Sequence, residues 1–393
     1  MIEKNKATEF IDTQNSLNEF VKKLDGNAVI GIDTEFERIR TYYPKLCLIQ
    51  VASSDSMACI DCLANLDLSN FWELIYREDI EKFIHSGSQD LEIFYLENKS
   101  LPQNIFDTQI AASLLGYPMQ IGIKNLLMDE LGINIEKSET RSDWSKRPLH
   151  PNQLQYAIED VAHLLELGKS LKQKLKIKGR LEWCKEDCNK MLATKTGLMD
   201  QENAWKKIKG IKKLNSKFQN TAIELSNWRE NQSAIKNIPR KWLMDDIEII
   251  NVSKMDPQSL NKIKLEPLMN KYMQESDIEN MIETLRNIKN FKKERKRNNK
   301  IKMIPNFKLI IEKINTLIIK HAKTLDITQE ALATKKDILL LVQGRENRLN
   351  VGWRKSQLNK GIKKILKQDK SLINLGKESL INLFYRTLPI DNL

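Results

Sequence analysis

Residues 28–36 read AVIGIDTEF. The first six, Ala28–Asp33, are short, apolar and rich in β-branched side chains, which predicts a buried strand. The strand ends in Asp33 and Glu35, two carboxylates at i and i+2. In a strand those side chains point to the same face. Two unpaired carboxylates so placed repel each other and raise each other's pKa. A divalent cation removes that cost, and hard cations such as Mg²⁺ take oxygen ligands. A strand end that merely meets solvent would give the same pair, so the pattern by itself leaves both readings open.

Downstream, Leu46–Ala52 (LCLIQVA) and Met57–Asp61 read as two further strands, and Glu81–His85 closes another short apolar stretch. Ser86-Gly87-Ser88 then marks a turn and a helix start. It places Asp90 in the first turn of a helix running to Asn98, where the helix dipole favours a carboxylate. That explains Asp90 structurally; metal ligation is the sharper alternative. Asp107 reads as the N-cap of a helix through Leu115. Strand and helix patterns alternating over the first 120 or so residues predict an α/β architecture with a mixed sheet.

From Pro151 the pattern is nearly all helical, with Pro151 where a first helical residue is favoured. Leu154, Ala157, Ile158, Val161, Leu164 and Leu165 form an apolar stripe. Tyr156 and Asp160 are four apart, within roughly 40° of each other around the helix. Both sit beside the stripe, so they face the body of the protein, and a partly buried Asp needs a partner. Metal ligation would satisfy it; a hydrogen bond to backbone would too. After about residue 171 lysine-rich helix periodicity continues, interrupted at Asp256-Pro257 and Pro305-Asn306. Lys292–Lys302 reads as a linker or solvated helix end, with RNA contact as the alternative.

The chain has 393 residues and a formal net charge of +12. That length suits two or three domains. Residues 1–170 hold 16 Lys and Arg against 27 Asp and Glu; the rest hold 48 against 25. Carboxylates in the first part can gather metal ions, and the basic remainder can hold a polyanion. A basic helical surface that only keeps the chain soluble would look the same. Phosphate-binding GxxxxGK[ST], GxGxxG and HExxH patterns are absent, which weakens nucleotide triphosphatase, dinucleotide-dependent and zinc-protease readings. No run of apolar residues is long enough for a transmembrane helix. Met1–Phe10 is polar and does not read as a signal peptide. Cys59 and Cys62 make a CxxC pair, with Cys184 and Cys188 far downstream. Buried reduced cysteines explain them better than a zinc site, and point to the cytoplasm.

Each motif is weak alone, but their joint order is specific. The chain resembles the DEDD exonucleases of the ribonuclease H-like fold, in the subgroup with tyrosine in the last motif, and more closely the ribonuclease D family. The resemblance rests on IDTEF (32–36), LCLIQVA (46–52), HSGSQDL (85–91), FDTQIAASLLGYPMQIG (106–122), KSETRSDWSKRPL (137–149) and YAIEDVAHL (156–164). It continues through AWKKIKG (204–210), WRE (228–230) and PRKW (239–242), which look like the helicase-and-RNase-D C-terminal (HRDC) module. Residues 300–393, with LATKKDILLLVQG (332–344), look like a more divergent second copy, or equally a helical bundle that closes the molecule.

The resemblance implies a ribonuclease H-like exonuclease domain over 1–175 and two all-α domains, over 198–282 and 300–393. It implies two divalent ions, Mg²⁺ or Mn²⁺, on Asp33, Glu35, Asp90 and Asp160. Tyr156 would orient the attacking water, since a phenol of reference pKa about 10 is a poor base at neutral pH. The implied activity is 3′→5′ hydrolysis of RNA to 5′-monophosphates, on transfer RNA precursors with single-stranded 3′ ends; a monomer is expected, though the sequence does not fix the oligomeric state. Thr34, Phe36 and His85 are candidates for holding that end. Lys206, Lys207, Lys209, Arg229, Arg240 and Lys241 are candidates for RNA contact in the helical module. Two rival readings are a DNA 3′→5′ exonuclease, separable by comparing labelled RNA and DNA, and an RNA-binding protein with a silent site, which the full set of four carboxylates plus Tyr156 argues against.

Overall fold

The computed structural model describes residues 7–135, 139, 142–195, 201–255, 261, 265–287 and 307–368. The Asp256-Pro257 and Pro305-Asn306 interruptions and the run Lys292–Lys302 lie outside these residues.

Six strands form one mixed sheet: β1 (Ala7–Ile11), β2 (Val29–Glu37), β3 (Lys45–Ala52), β4 (Ser56–Asp61), β5 (Glu81–Ile84) and β6 (Ile105–Asp107), in the order β1-β4-β3-β2-β5-β6. β2, β3 and β4 form an antiparallel meander, with Asp33 opposite Gln50. β1 joins β4, and β5 and β6 extend from β2, all in parallel. The central strand β2 runs four residues past Asp33. A register shift between Glu35 and Phe36 marks where its pairing with β3 becomes irregular.

Helices cover both faces. α1 (Gln14–Leu24), α2 (Ser69–Tyr76) and α3 (Ser88–Asn98) pack Leu17, Phe20, Phe71 and Phe94 against Ile30, Ile32 and Ile60. On the other face lie α4 (Thr108–Ser113), α5 (Ile123–Leu131), α6 (Pro151–Ala162), α7 (Leu164–Ile177) and α8 (Leu181–Lys195). Asp107 caps α4 by accepting from the amides of Gln109 and Ile110, and Pro151 opens α6, as the sequence predicts. The stripe expected to run unbroken through residue 165 is divided at His163, where the backbone leaves helical geometry and α7 begins. Gly168 lets α7 close on the sheet: a Cβ there would lie 2.2 Å from the Phe83 ring.

Residues 201–287 enclose a separate core of Ile211, Leu225, Trp228, Ile249 and Met281, built on α9 (Ser216–Lys236), α10 (Arg240–Leu243), α11 (Asp246–Ser253) and α12 (Glu275–Asn287). The next helices, α13 (Phe307–Leu325), α14 (Gln329–Leu332), α15 (Lys335–Val342) and α16 (Gly352–Gln368), join the sheet-bearing part instead. Their Ile310, Ile314, Leu341 and Trp353 share one continuous apolar cluster with Phe83, Leu167, Leu171 and Cys184. Among the described residues, no helix is long and apolar enough to cross a membrane.

Candidate active site

The strand period puts Asp33 and Glu35 of β2 on one face, and α6 brings Asp160 to them. One carboxylate oxygen from each of the three lies within 4.8 Å of the others. Asp90, in the first turn of α3, accepts the Thr34 hydroxyl at 2.5 Å and is close enough to Asp33 to perturb its charge. Asp90, Asp160 and Tyr156 are all buried. Together these residues line a cavity of about 760 Å³ with Phe36, Glu37, Arg38, Ile39, His85, Gln89, Gln109 and Trp144.

The turn before α3 sets Asp90 in place. Ser86 takes a left-handed φ of 59°, and a Cβ on Gly87 would lie 2.0 Å from the Ile84 side chain. The buried Asp107 carboxylate accepts from the amides of both Ser86 and Gly87 while also capping α4. One side chain therefore ties the α3 turn to the α4 start. His85 is oriented from both nitrogens: Nδ1 faces the Thr108 hydroxyl at 2.9 Å, and Nε2 lies 3.0 Å from the Ile121 carbonyl. That carbonyl can only accept, so Nε2 carries a hydrogen. On α6, Tyr156 packs beside Trp144, with ring centroids 6.0 Å apart. Arg147 fixes the preceding loop by donating to both oxygens of Asp61 and to the Cys47 carbonyl.

Crowding of acids shows in their protonation. Burial, then the charges of Asp90, Asp160 and Glu35, hold the Asp33 carboxyl well above the usual carboxylate range. Burial pushes Asp90 up to about 6, against the Thr34 hydrogen bond, which pulls it down. The donors are oxygens only, and those of Asp33, Glu35 and Asp160 converge. That set fits a hard divalent cation.

An acid whose native pKa lies above its unfolded value of about 3.9 binds more protons when folded, so metal-free stability falls as pH rises past that value. Chelated Asp33→Asn should therefore melt above wild type at pH 8, by roughly 2–4 °C per kcal/mol of relief. The difference should close near pH 4. Mn²⁺ should raise the wild-type midpoint and leave the variant's nearly unmoved. Differential scanning fluorimetry with chelator and with Mn²⁺ reads all of this; a variant less stable than wild type at pH 8 would show that the cluster is not strained.

Of the candidates for holding the RNA end, Thr34, Phe36 and His85 all line the cavity. The helical-module candidates do not. Lys206, Lys207, Lys209 and Lys241 are exposed on residues 201–287. Arg229 is buried and donates to the Met244 carbonyl and to Asp246, which takes it off any surface RNA could reach. Arg240 is paired with Glu230 and lies over the Tyr42 ring. Gln89, Gln109, Arg38, Ile39 and Trp144 line the cavity without having been singled out from the sequence. Of these, Gln89, Gln109 and Trp144 carry a signal, lying inside HSGSQDL, FDTQIAASLLGYPMQIG and KSETRSDWSKRPL. The cysteines are free thiols, with Cys47, Cys59, Cys184 and Cys188 buried.

Comparison with known proteins agrees with this geometry. A family model described as a 3′-5′ exonuclease matches residues 8–176. Ribonuclease D from a Shewanella species is 35% identical over 263 residues, 67% of this chain and 68% of that protein. Ribonuclease D from Zymomonas mobilis subsp. mobilis is 32% identical over 333 residues, 83% of this chain and 85% of that protein. The crystal structure of Escherichia coli RNase D, described as an exoribonuclease involved in structured RNA processing, matches with a TM-score of 0.80 at 26% identity. That match covers 92% of this chain and 99% of the other. With relatives of that name matched along most of their length, and a mixed α/β sheet that gathers acids into one cavity, the chain belongs to the ribonuclease D family of 3′→5′ exoribonucleases.

Proposed function

We propose that this chain trims the 3′ trailers of transfer RNA precursors one nucleotide at a time, as a cytoplasmic monomer releasing nucleoside 5′-monophosphates. Asp33, Glu35, Asp90 and Asp160 hold two divalent cations, Mg²⁺ or Mn²⁺, and are the catalytic residues together with Tyr156. Residues 1–175 are the exonuclease domain, 198–282 an HRDC-type RNA-binding module, and 300–393 a second, divergent module. The observation that carries the reading is the convergence of Asp33, Glu35 and Asp160 within 4.8 Å on the wall of an open cavity.

When bound, the cations would lower the pKa of water and offset charge on the phosphoryl and leaving oxygens. The chain's own work is positional. Asp33 and Glu35 stand on the central strand of the sheet, so the anionic face they present is rigid. Thr34 holds Asp90 by its hydroxyl and fixes which Asp90 oxygen faces the cavity. Tyr156 directs its phenol from the helix face that also carries Asp160, and orients the attacking water. Phe36 and the fixed His85 ring flank the path of the terminal nucleotide.

The test is a time course on a 3′-extended transfer RNA labelled at its 5′ end, with Mg²⁺, with Mn²⁺ and with chelator, beside single-stranded DNA of the same sequence. The expected result is metal-dependent stepwise shortening of the RNA from its 3′ end, with 5′-monophosphates released. Faster shortening of the DNA would move the function to a DNA exonuclease. Salt-sensitive binding without shortening would move it to RNA binding at a silent site.

A further inference from the structure

Trp242 and Tyr272 stack on each other outside any core. Their ring centroids lie 4.8 Å apart with planes 20° from parallel, and both side chains are partly exposed. The core of residues 201–287 draws in Trp205 and Trp228 but neither of these rings. Two large aromatics that leave surface in water gain little from each other compared with what full burial would give. Lys271 adds a cation over both rings, its Nζ 4.7 Å from the Tyr272 centroid and 5.9 Å from that of Trp242. Lys271 and Lys241 are themselves exposed.

Backbone hydrogen bonds anchor Tyr272, and side-chain contacts tie α10 to the loop after β2. The Tyr272 amide donates to Asn270 Oδ1 at 2.8 Å, and its carbonyl accepts from Lys236, which also pairs with Asp277. Trp242 stands two residues after Arg240 in α10. Arg240 bonds Glu230 at 2.6 Å and covers the Tyr42 ring at 4.6 Å. The Tyr42 hydroxyl donates to Glu230, and the amides of Tyr42 and Tyr43 donate to Asn237. Tyr42 and Tyr43 belong to the loop leaving β2, whose Glu37, Arg38 and Ile39 line the catalytic cavity. The same short helix thus holds the cavity's rim through Arg240 and presents an aromatic ring through Trp242.

We propose that Trp242 and Tyr272, with Lys271 and Lys241, form a base-stacking subsite for single-stranded RNA outside the catalytic cavity. Every base has a π face, so stacking on such rings tolerates any sequence, and the lysines meet the phosphates on either side. A trailer being shortened changes sequence at each step, and a sequence-tolerant hold suits it. The inference rests on the proposed function only for the identity of the strand.

The test uses the full chain and 5′-fluorescein oligouridylate of about 20 nucleotides, long enough to reach past the cavity. In chelator, anisotropy should show Trp242→Ala and Tyr272→Ala binding it about tenfold more weakly, the scale of one lost stacked base. Trp242→Phe should bind nearly as wild type. Lys271→Gln should lower the slope of log affinity against log salt by about one. With Mn²⁺, hydrolysis of a uridylate tetramer should be unchanged in all four, while KM rises on the longer strand for the alanine variants. Folded Trp242→Ala and Lys271→Gln proteins that bind the longer strand as wild type does would overturn the subsite. If Trp242→Ala fails to fold, the salt slope of exposed Lys271→Gln decides alone. Wild type that binds through Trp242 yet shortens neither strand would leave the subsite standing and remove the exonuclease reading.

Discussion

Asp160→Asn is expected to lose on the order of 10²–10³-fold or more in single-turnover rate, the scale for removing one preorganised charge-stabilising group, while still binding RNA. The substitution keeps shape and removes a charge. Asp160 is buried on α6, one of three carboxylates whose oxygens come within 4.8 Å of each other. An amide at that point weakens the anionic cage that suits a divalent ion and leaves the helix packing of Ala157 and Val161 intact. Asp33→Asn should behave alike, since Asp33 feels the charges of Asp90, Asp160 and Glu35 together. With much of the contact to a longer strand proposed to lie outside the cavity, RNA affinity should change little. Rapid-quench kinetics on 5′-labelled RNA and anisotropy on the same strand separate the two effects. A variant turning over near the wild-type rate would sink the assignment of these carboxylates to metal.

Much of this site is legible in the sequence because two local periods place its parts. The two-residue strand period puts Asp33 and Glu35 on one face, and the helix period puts Tyr156 beside Asp160. Neither depends on tertiary structure. The turn at Ser86–Ser88 and the Asp107 cap are likewise local, and both are where the residue types predict. What the sequence hides is non-local. Nothing in the spacing between Thr34 and Asp90 announces their hydrogen bond, which exists because β5 runs parallel to β2 and sets α3 beside it. β1 escapes notice because Ala7–Ile11 is short and half polar, as an edge strand can be. β6 has only three residues. Arg229 reads as a basic residue in a basic module. Its burial depends on where α11 places Asp246.

Alongside the apolar cluster, one buried arginine ties residues 307–368 to α8, and Arg354→Ala should destabilise the chain by about 3–5 kcal/mol. Arg354 is 3% exposed. Its guanidinium bonds both oxygens of Asp187 on α8, at 2.6 and 2.9 Å, and donates to the Ala331 carbonyl. It also lies over Trp353 at 4.2 Å. Trp353 in turn stacks on Trp183 of α8 at 4.5 Å, and its amide donates to Glu186. Truncating Arg354 leaves the largely enclosed Asp187 carboxylate without its cation, which costs more than the pair itself contributes. The damage should reach the active site, because α8 also supports it: the Asp107 amide points at Cys188 Sγ at 3.5 Å, and Asp107 fixes the turn that carries Asp90. A lower melting midpoint should therefore come with a reduced rate, whereas Lys185→Ala, on an exposed part of the same helix, should change neither. Replacing both partners with apolar residues, Asp187→Leu with Arg354→Met, should recover most of the lost stability, since no charge is then stranded. Thermal melts of the single and double variants decide it. If the double variant melts no higher than Arg354→Ala, the stacked tryptophans and the apolar cluster hold the joint, and the ion pair is incidental to it.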